Sequence, residues 1–179
     1  MEQIWNLKTI LKDRVARGKK YVAVFVDFRK AYDSVDRTTL FNILREMGTD
    51  NKTLQLIKET LTNTYSKVKF MGEISEPFEI KTGVRQGDCL SPLLFNCVLD
   101  KVIKEWEKEL AEKGIKDQVR IGYKKENITI NCLAFADDLV LLSENIESAI
   151  IQVNTLKEIA VKTGLQISFE KTHFMTNIK

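Results

Sequence analysis

The sequence predicts a mixed α+β domain built on an antiparallel sheet of the ferredoxin-like, split βαβ type, with helices packed on one face. The run YVAVFVDF at 21–28 is dense in β-branched and aromatic residues, which is typical of a strand buried on both faces. The stretch CLAFADDLVLLS at 132–143 indicates a second buried pair of strands, joined as a hairpin. Helical segments surround these strands without the regular alternation of a doubly wound fold.

The first half of the chain is predicted to hold three helices around the strand at 21–28. The first helix is predicted from apolar residues at helical spacing, and it ends at Gly18. These residues are Ile4, Leu7, Ile10, Leu11 and Val15. Asp36 can cap a second helix, which ends at Gly48. That helix is expected to bury Leu40, Ile43, Leu44 and Met47. A third helix is expected over roughly 53–65.

The second half begins with two short alternating strands within 66–83, around a turn that contains glycine and proline. Pro92 suits the first turn of a long helix that continues to Leu110. After the hairpin comes a helix that ends at Gly164, followed by a final strand pair within 165–175. The helix is expected to bury Ala149, Ile150, Val153, Leu156 and Ile159.

Composition permits many functions and excludes a few. The 179 residues suit one domain with a substantial core, and 44% hydrophobic with 30% charged residues is ordinary globular composition. A net charge of +3 does not mark a nucleic-acid binder, although a local basic groove matters more than the total. The three cysteines stand singly and there is one histidine, which argues against a zinc site and a disulfide framework. No apolar run is long enough to span a membrane, and the first residues do not form a signal peptide.

Three aspartates follow the predicted strands in positions suited to a metal site. Asp27 ends the strand at 21–28, and Asp137 and Asp138 lie at the tip of the hairpin. If the hairpin and the strand are neighbours in one sheet, the three carboxylates converge on one edge, where their charges repel one another unless a cation is present. All-oxygen ligands suit Mg²⁺, and two such ions can support an in-line phosphoryl displacement.

A simpler interpretation of these aspartates is also open. An Asp-Asp pair is usually a solvated turn, because Asp tolerates turn geometry. An Asp after a strand is more often a helix cap or a turn residue than a ligand, and Asp33 and Asp36 are expected to serve in that way.

A glycine-bearing segment between the two acidic sites adds weight to the metal hypothesis. In KTGVRQGDCLSPLLFN, at 81–96, Gly83 and Gly87 bracket Arg85 and Gln86 just before the helix at Pro92. Glycine lets backbone approach a ligand closely, and the arginine and glutamine offer planar donors for phosphates or base edges. Glycine-rich turns before helices are also commonplace in structural roles, so this segment alone is weak evidence.

Four motifs in this order resemble the polymerase motifs A, B, C and D of a reverse transcriptase. They are VDFRKAYDSVDR, GVRQGDCLSPLLFN, FADDLVLL and GLQISFEKTHFM. They resemble most closely the non-LTR (LINE-type) retrotransposon enzymes, and QIWNLKTIL at 3–11 is similar to the segment before motif A. The resemblance covers nearly the whole chain and implies a polymerase palm.

The resemblance implies template-directed transfer of deoxynucleoside triphosphates to the 3′-hydroxyl of a DNA primer on an RNA template. Two Mg²⁺ ions, for which Mn²⁺ can substitute, would be held by Asp27, Asp137 and Asp138 and by the backbone carbonyl of Phe28. The other implied roles are nucleotide binding by Ala31, Tyr32 and Gln86, nucleic-acid contact by Arg85 and Gly87, and protonation of pyrophosphate by Lys171. Within these, Tyr32 would pack beneath the sugar and disfavour a 2′-hydroxyl.

Two of these roles have a purely structural alternative, and two positions of the sequence differ from the motifs. Tyr32 could be a half-buried core aromatic, and Lys171 could be a solvated lysine at a strand end. Cys89 stands where proline is frequent after QGD, and Ser168 stands where asparagine is usual before the motif D lysine. Neither departure falls on an implied metal ligand.

The resemblance also predicts the extent of the domain. Residues 1–179 are expected to be the palm of a partial domain from a truncated copy, without most of the fingers, primer grip and thumb. Apolar surface that a palm buries against those parts would then be exposed and would favour association. The resemblance implies an intracellular protein of nucleus and cytoplasm; it does not indicate an oligomeric state.

Three functional hypotheses remain open from the sequence. The first is an RNA-directed DNA polymerase core. The second is a catalytically inactive, nucleic-acid-binding remnant of a reverse transcriptase, which would keep the fold without productive geometry. The third, an RNA-templated RNA polymerase, is disfavoured by Tyr32 and by the LINE-like pattern.

Overall fold

The computed structural model describes residues 2–115, 119–121 and 128–178. Its helices are α1 Glu2–Ala16, α2 Ala31–Ser34, α3 Arg37–Glu46, α4 Asn51–Leu61, α5 Ser91–Glu112 and α6 Ile146–Val161. Its strands are β1 Val22–Val26, β2 Tyr65–Ser66, β3 Lys69–Phe70, β4 Glu73–Ile74, β5 Phe78–Glu79, β6 Val119–Ile121, β7 Ile128–Ile130, β8 Cys132–Phe135, β9 Asp138–Ser143 and β10 His173–Thr176.

Four of these strands form the central antiparallel sheet, in the order β10-β1-β9-β8. Helical segments connect β1 to the β8–β9 hairpin, and α6 connects the hairpin to β10. This is the β-α-β-β-α-β order of a split βαβ fold. The predicted α+β, ferredoxin-like class is therefore confirmed.

One face of the sheet packs on the main core. Alternate residues of β1, namely Val22, Val24 and Val26, join this core with the apolar sides of α3, α5 and α6. Trp106 of α5 is fully buried there, and its indole N–H donates to the carbonyl of Gln152 on α6 at 2.9 Å. That bond gives the buried polar atom of the ring a partner and ties the two long helices together.

The opposite face is covered by α1, which the prediction of helices on one face did not include. The intervening residues of the strands, such as Ala23 and Leu142, pack in a second cluster with Ile10 of α1. Because β1 is apolar on both faces, each face needs cover. Arg14 of α1 is buried; its guanidinium pairs with Glu144 at 2.7 Å and donates to the Lys20 carbonyl at 2.6 Å.

Several local predictions need correction. Met47 and Ile150 are 55% and 56% exposed, because each lies on the side of its helix that no other element covers. The final strand pair is a single strand, β10, preceded by an isolated bridge between Ile167 and Phe28. The two strands expected within 66–83 are four strands of two residues each, paired as β2–β5 and β3–β4.

The third helix, expected over roughly 53–65, is α4 and ends at Leu61, because Tyr65 already belongs to β2. The short helix α2 was not predicted. Asp36 caps α3 by accepting from the N–H of Thr39 at 2.7 Å. Pro92 lies in the first turn of α5. The β6–β7 pair was not predicted. Within the described residues, no helix is both long and apolar enough to cross a membrane.

Candidate active site

The register of the sheet brings the three predicted carboxylates to one edge. The β1–β9 ladder ends with the pair Val26–Leu139, so Asp27 directly follows this last pair on one strand and Asp138 directly precedes it on the other. Asp137 lies beside them in the turn that joins β8 to β9. We refer to Asp27, Asp137 and Asp138 as the carboxylate edge.

The turn that carries Asp137 contains a strained residue that the sequence analysis missed. Phe135 pairs with Asp138, which leaves Ala136 and Asp137 as a two-residue connection. Ala136 has φ +51°, in the left-handed region that favours glycine. A two-residue link between two strands demands positive φ, so the hairpin pattern itself was the available signal.

Asp27 has an unusual environment for a carboxylate. Its Oδ1 atom is buried and accepts no hydrogen bond from any residue that the structure describes. Its backbone is fully used, since the carbonyl accepts from the N–H of Ser168 at 2.8 Å and the N–H donates to the Thr172 hydroxyl at 3.5 Å. A buried acceptor without a partner is costly, and a bound cation would remove that cost.

The donor set of the carboxylate edge fits Mg²⁺ better than a metal that needs a closed protein cage. Across residues 2–115, 119–121 and 128–178, no three His, Cys, Asp or Glu side chains form a group that could hold a metal ion. Mg²⁺ commonly takes only one or two protein carboxylates and completes its shell with water and substrate phosphates. The buried Oδ1 of Asp27, which accepts no hydrogen bond from the described residues, and the neighbouring Asp138 match that requirement.

Phe28, the predicted backbone ligand, is buried directly after Asp27. Its bridge to Ile167 is made by its neighbours: the N–H of Arg29 donates to the Gln166 carbonyl at 2.8 Å, and the Asp27 carbonyl accepts from Ser168. The bridge therefore does not consume the Phe28 carbonyl.

Tyr32 lies close to the carboxylate edge. Its ring stacks on Phe95 of α5, with centroids 4.7 Å apart and an interplanar angle of 14°. Burial raises the pKa of the Tyr32 phenol, and the negative charge of Asp137 raises it further. Tyr32 is thus a half-buried aromatic held by Phe95, with its hydroxyl in the field of Asp137.

Phe95, on the buried side of α5, was not singled out in the sequence. Ala31, directly before Tyr32, is buried in the same short helix, α2.

The turn between Gly83 and Gly87 is hydrogen-bonded to the segment that contains Tyr32. The N–H of Val84 donates to the carbonyl of Tyr32, and the N–H of Gly83 donates to that of Val35, both at 2.8 Å. A Cβ atom on Gly83 would lie 2.6 Å from the Cα of Asp33, so only glycine allows this approach. The structure therefore brings the Gly83–Gly87 turn and Tyr32 together.

Arg85, Gln86 and Gly87 are exposed on this turn. Arg85 and Gln86 border a polar groove of about 460 Å³, which is also lined by Arg37, Thr64 and Thr82. Planar donors in an open polar groove can contact phosphates or base edges.

Lys171 lies on a turn that is attached to Asp27. The N–H of Lys171 donates to the Ser168 carbonyl at 3.1 Å, while Ser168 and Thr172 hold the backbone of Asp27 on either side of the turn. The Lys171 side chain is exposed, as both of its possible roles require. The turn brings the residue to the strand end that carries Asp27.

Comparison with known proteins agrees with this geometry. The family model described as reverse transcriptase (RNA-dependent DNA polymerase) matches residues 2–179. The chain is 34% identical over 144 residues to a retrovirus-related Pol polyprotein of the type-1 retrotransposable element R2 from Popillia japonica, covering 80% of this chain and 22% of that protein. It is 30% identical over 154 residues to the R2DM polyprotein of Drosophila melanogaster, covering 86% of this chain and 13% of that protein.

Solved structures of telomerase share the fold. A Candida tropicalis telomerase, truncated from its C-terminal domain, matches with a TM-score of 0.68 at 17% identity, over 97% of this chain and 34% of that one. A Candida albicans telomerase in complex with a fragment of telomeric RNA matches at 0.69 and 14% identity, over 97% of this chain and 30% of that one.

The sheet, its flanking helices and its edge strands define a polymerase palm. The chain belongs to the reverse transcriptase (RNA-dependent DNA polymerase) family, and its curated relatives are Pol polyproteins of R2 non-LTR retrotransposons. It spans only 13–22% of the length of the two relatives described above.

Proposed function

We propose that this chain is the palm of an RNA-directed DNA polymerase, which adds deoxynucleotides to a primer 3′-hydroxyl on an RNA template. One observation carries the proposal: the β1–β9 ladder ends next to Asp27 and Asp138, and the charge of the adjacent Asp137 acts on Tyr32. Family membership supports the same reaction. The proposed partners are an RNA template, a DNA primer and deoxynucleoside triphosphates, and the proposed location is nucleus and cytoplasm.

We assign two Mg²⁺ ions, or Mn²⁺ in their place, to the carboxylate edge and the Phe28 carbonyl. The orphaned Oδ1 of Asp27 supports this assignment, because a cation would give it a partner. When bound, divalent cations promote ionisation of a hydroxyl nucleophile and neutralise charge on a triphosphate.

The chain's own side chains would position the reactants. Tyr32, braced by Phe95, would form a flat surface beneath the sugar of the incoming nucleotide, and its backbone N–H and that of Ala31 would face the triphosphate. On the neighbouring turn, Gln86 would contact the new base pair. Phosphoryl transfer depends on such positioning as much as on charge.

Three further residues have proposed roles. Arg85 and Gly87 would contact the template, where the open space around Gly87 lets a backbone pass closely. Lys171 would donate a proton to the departing pyrophosphate, and its turn beside Asp27 supports that role. A solvated lysine with no part in the chemistry would occupy the same exposed position.

The second candidate is an inactive nucleic-acid-binding remnant. The observation in its favour is that the described side chains form no closed group for a metal ion, so the carboxylate edge depends on substrate to complete the site. This candidate predicts binding of a primed template without extension.

Primer extension on a primed RNA template, with Mg²⁺ or Mn²⁺, tests the proposal. Asp137→Asn/Asp138→Asn removes two carboxylates of the edge, and we expect extension to fall at least about 100-fold, because charge stabilisation of the transition state is lost. Asp100→Asn/Glu112→Gln is the matched control, since it removes two exposed carboxylates of α5. The control should extend the primer normally.

The other outcomes separate the two candidates. An inactive wild-type chain that binds metal in calorimetry, with binding lost in the Asp137→Asn/Asp138→Asn variant, would favour the remnant. Equal extension by that variant and the wild type would contradict the assignment of the carboxylate edge.

A further inference from the structure

The segment between α4 and the Gly83–Gly87 turn has almost no core of its own. Its four strands, β2 to β5, hold two residues each, and every side chain from 65 to 79 is exposed. Isolated two-stranded ladders are marginally stable in water, even when longer than these. The segment nevertheless leads directly into the turn that carries Arg85 and Gln86. Something outside the segment must therefore hold it in place.

Arg37, the first residue of α3, makes the contacts that do so. Its Nε donates to the carbonyl of Gly83 at 2.9 Å and its Nη2 to that of Thr82 at 3.2 Å. Its Nη1 donates to the carbonyl of Ile80 at 2.8 Å and to the Thr64 hydroxyl at 3.3 Å, and it also contacts the carbonyl of Leu61. All three guanidinium nitrogens are thus used, and they grip both ends of the segment.

Arg37 stands at a helix position where a positive charge is unfavourable, so these contacts explain why an arginine is found there. A cation in the first turn of a helix is disfavoured by the helix dipole. Asp36 already caps α3, so Arg37 is not needed to begin it. Burial lowers the pKa of Arg37, and the nearby positive charge of Arg85 lowers it further, against the opposing effect of Glu79. Four backbone carbonyls around one guanidinium compensate for these costs.

The same contacts set the distance between the Gly83–Gly87 turn and Tyr32. Two of the gripped carbonyls belong to Thr82 and Gly83, directly before Val84, whose N–H donates to the Tyr32 carbonyl at 2.8 Å. The Thr82 hydroxyl donates to the Asp33 carbonyl at 3.0 Å. Arg37 and the backbone of α2 therefore hold the turn from two sides.

We infer that Arg37 is a positioning residue, whose guanidinium fork fixes the Gly83–Gly87 turn against Tyr32 and so sets where Gln86 and Arg85 meet the nucleotide and the template. The link to the nucleotide rests on the proposed function. The positioning of the turn by Arg37 does not rest on the proposed function, because it concerns contacts within the chain. Lysine cannot replace the fork, since its single ammonium cannot reach acceptors on both sides.

Hydrogen exchange, measured by mass spectrometry on the full chain, tests the inference directly. The reporters are the N–H groups of Ile80, Gly83 and Val84, which bond to the carbonyls of Thr64, Val35 and Tyr32. In Arg37→Met we expect exchange over 80–84 to rise at least about tenfold, the factor set by the loss of one charge-assisted hydrogen bond. Exchange in β1 and β9 should stay unchanged.

Two further variants complete the test. Arg37→Lys keeps the charge, and we expect it to restore little of the protection, because the fork is lost; if Arg37→Met does not fold, Arg37→Lys carries the test alone. Arg45→Met is the matched control, since Arg45 lies on the same helix and is exposed, and among the described residues it donates to Asn42 of that helix, at 3.0 Å. The control should exchange like the wild type.

Nucleotide addition provides a second readout. A displaced turn should raise KM for the deoxynucleotide with little change in kcat, whereas a smaller folded fraction would lower kcat and leave KM unchanged. Unchanged exchange over 80–84 in both Arg37 variants, or an equal rise in β1 and β9, would overturn the inference. If the wild-type chain extends no primer, the proposed function fails, and the exchange result still decides the inference.

Discussion

Asp27 has a buried oxygen that accepts no hydrogen bond from the described residues, and its backbone N–H and carbonyl are both bonded to the turn at 168–172. The backbone bonds hold the residue rigidly, while the free oxygen gives it an unmet demand for a positive partner. A rigid carboxylate with such a demand is the arrangement expected of a metal ligand whose ion arrives with substrate. At the scale of single residues, Tyr32 and Gly83 support the same site and can be tested separately.

Replacing Asp137 by asparagine should lower the pKa of Tyr32 part of the way toward its ordinary value of about 10. Burial, the larger cause of the raised pKa, would remain. Because the raised pKa favours the neutral phenol in the folded state, its contribution to stability is fully present below the ordinary pKa and is lost as pH rises through the raised one.

Ultraviolet titration of the phenolate measures this shift, and Tyr32→Phe identifies the signal. Asp100→Asn serves as the control, because it removes an exposed carboxylate from the middle of α5, where it pairs with Lys104. A Tyr32 pKa that does not move in Asp137→Asn would contradict the proximity of the two side chains.

Gly83→Ala should lower the free energy of unfolding by about 3 kcal/mol, through left-handed backbone strain and overlap with the backbone of Asp33. The Cβ atom would meet Asp33 at 2.6 Å, and φ is +82°. Gly87→Ala is the matched control for stability: its φ is similar, at +90°, but nothing lies within 4 Å. We expect the control to cost only about 1 kcal/mol in urea unfolding. Equal losses would mean that the close approach at Gly83 is not needed.

The β8–β9 hairpin is the element that presents the carboxylate edge. Its two-residue turn lets Asp138 begin β9 at the end of the β1–β9 ladder that also carries Asp27, while Asp137 stays in the turn. Ala136 takes the left-handed conformation that this short connection requires. The hairpin therefore holds some backbone strain at the point where the carboxylates are displayed, which is common at functional sites.

Ala136→Gly should raise the free energy of unfolding by up to about 1 kcal/mol, because relief of left-handed strain exceeds the added entropy of the unfolded chain. Ala134→Gly makes the same chemical change in the regular strand β8, and there we expect a loss of about 1 kcal/mol. Urea unfolding of the two variants gives the comparison. A loss in Ala136→Gly as large as that in Ala134→Gly would show that the turn is unstrained.

Several large apolar side chains are exposed on the part of the molecule that the structure describes. Phe174, on the edge strand β10, is 71% exposed. Phe70 of β3 is 70% exposed, and Met71, in the turn that follows β3, is 90% exposed. Exposed apolar side chains on an open sheet edge favour pairing with other chains. The association predicted from the sequence remains a prediction, and β10 is the surface on which to test it.

Phe174→Lys should reduce self-association at micromolar concentrations, because a charged residue blunts an exposed edge strand. Phe174→Leu keeps the apolar character and is the control, so it should associate like the wild type. Sedimentation velocity provides the measurement. If both variants associate equally, the contact lies elsewhere on the molecule.

Local pattern alone was enough to predict much of this protein. Asp27, Asp137 and Asp138 follow from where the dense apolar runs stop, because a buried strand must deliver its last polar residue to an edge. Asp36 and Pro92 were correctly predicted at helix starts, since capping depends on a few adjacent residues. Such features need only neighbours in the chain.

Other features depend on which distant segments meet, and periodicity carries no information about that. Asp27 and Asp138 meet at one end of the β1–β9 ladder because strands more than a hundred residues apart in the chain pair with each other. Met47 and Ile150 fit the apolar patterns of their helices yet remain exposed, because no other element covers them. Arg37 lies in the first of the four polymerase-like motifs, but the motif did not predict that its side chain donates to carbonyls as far along the chain as Gly83. Burial and hydrogen bonding between remote segments are set by packing of the whole chain, which local sequence cannot specify.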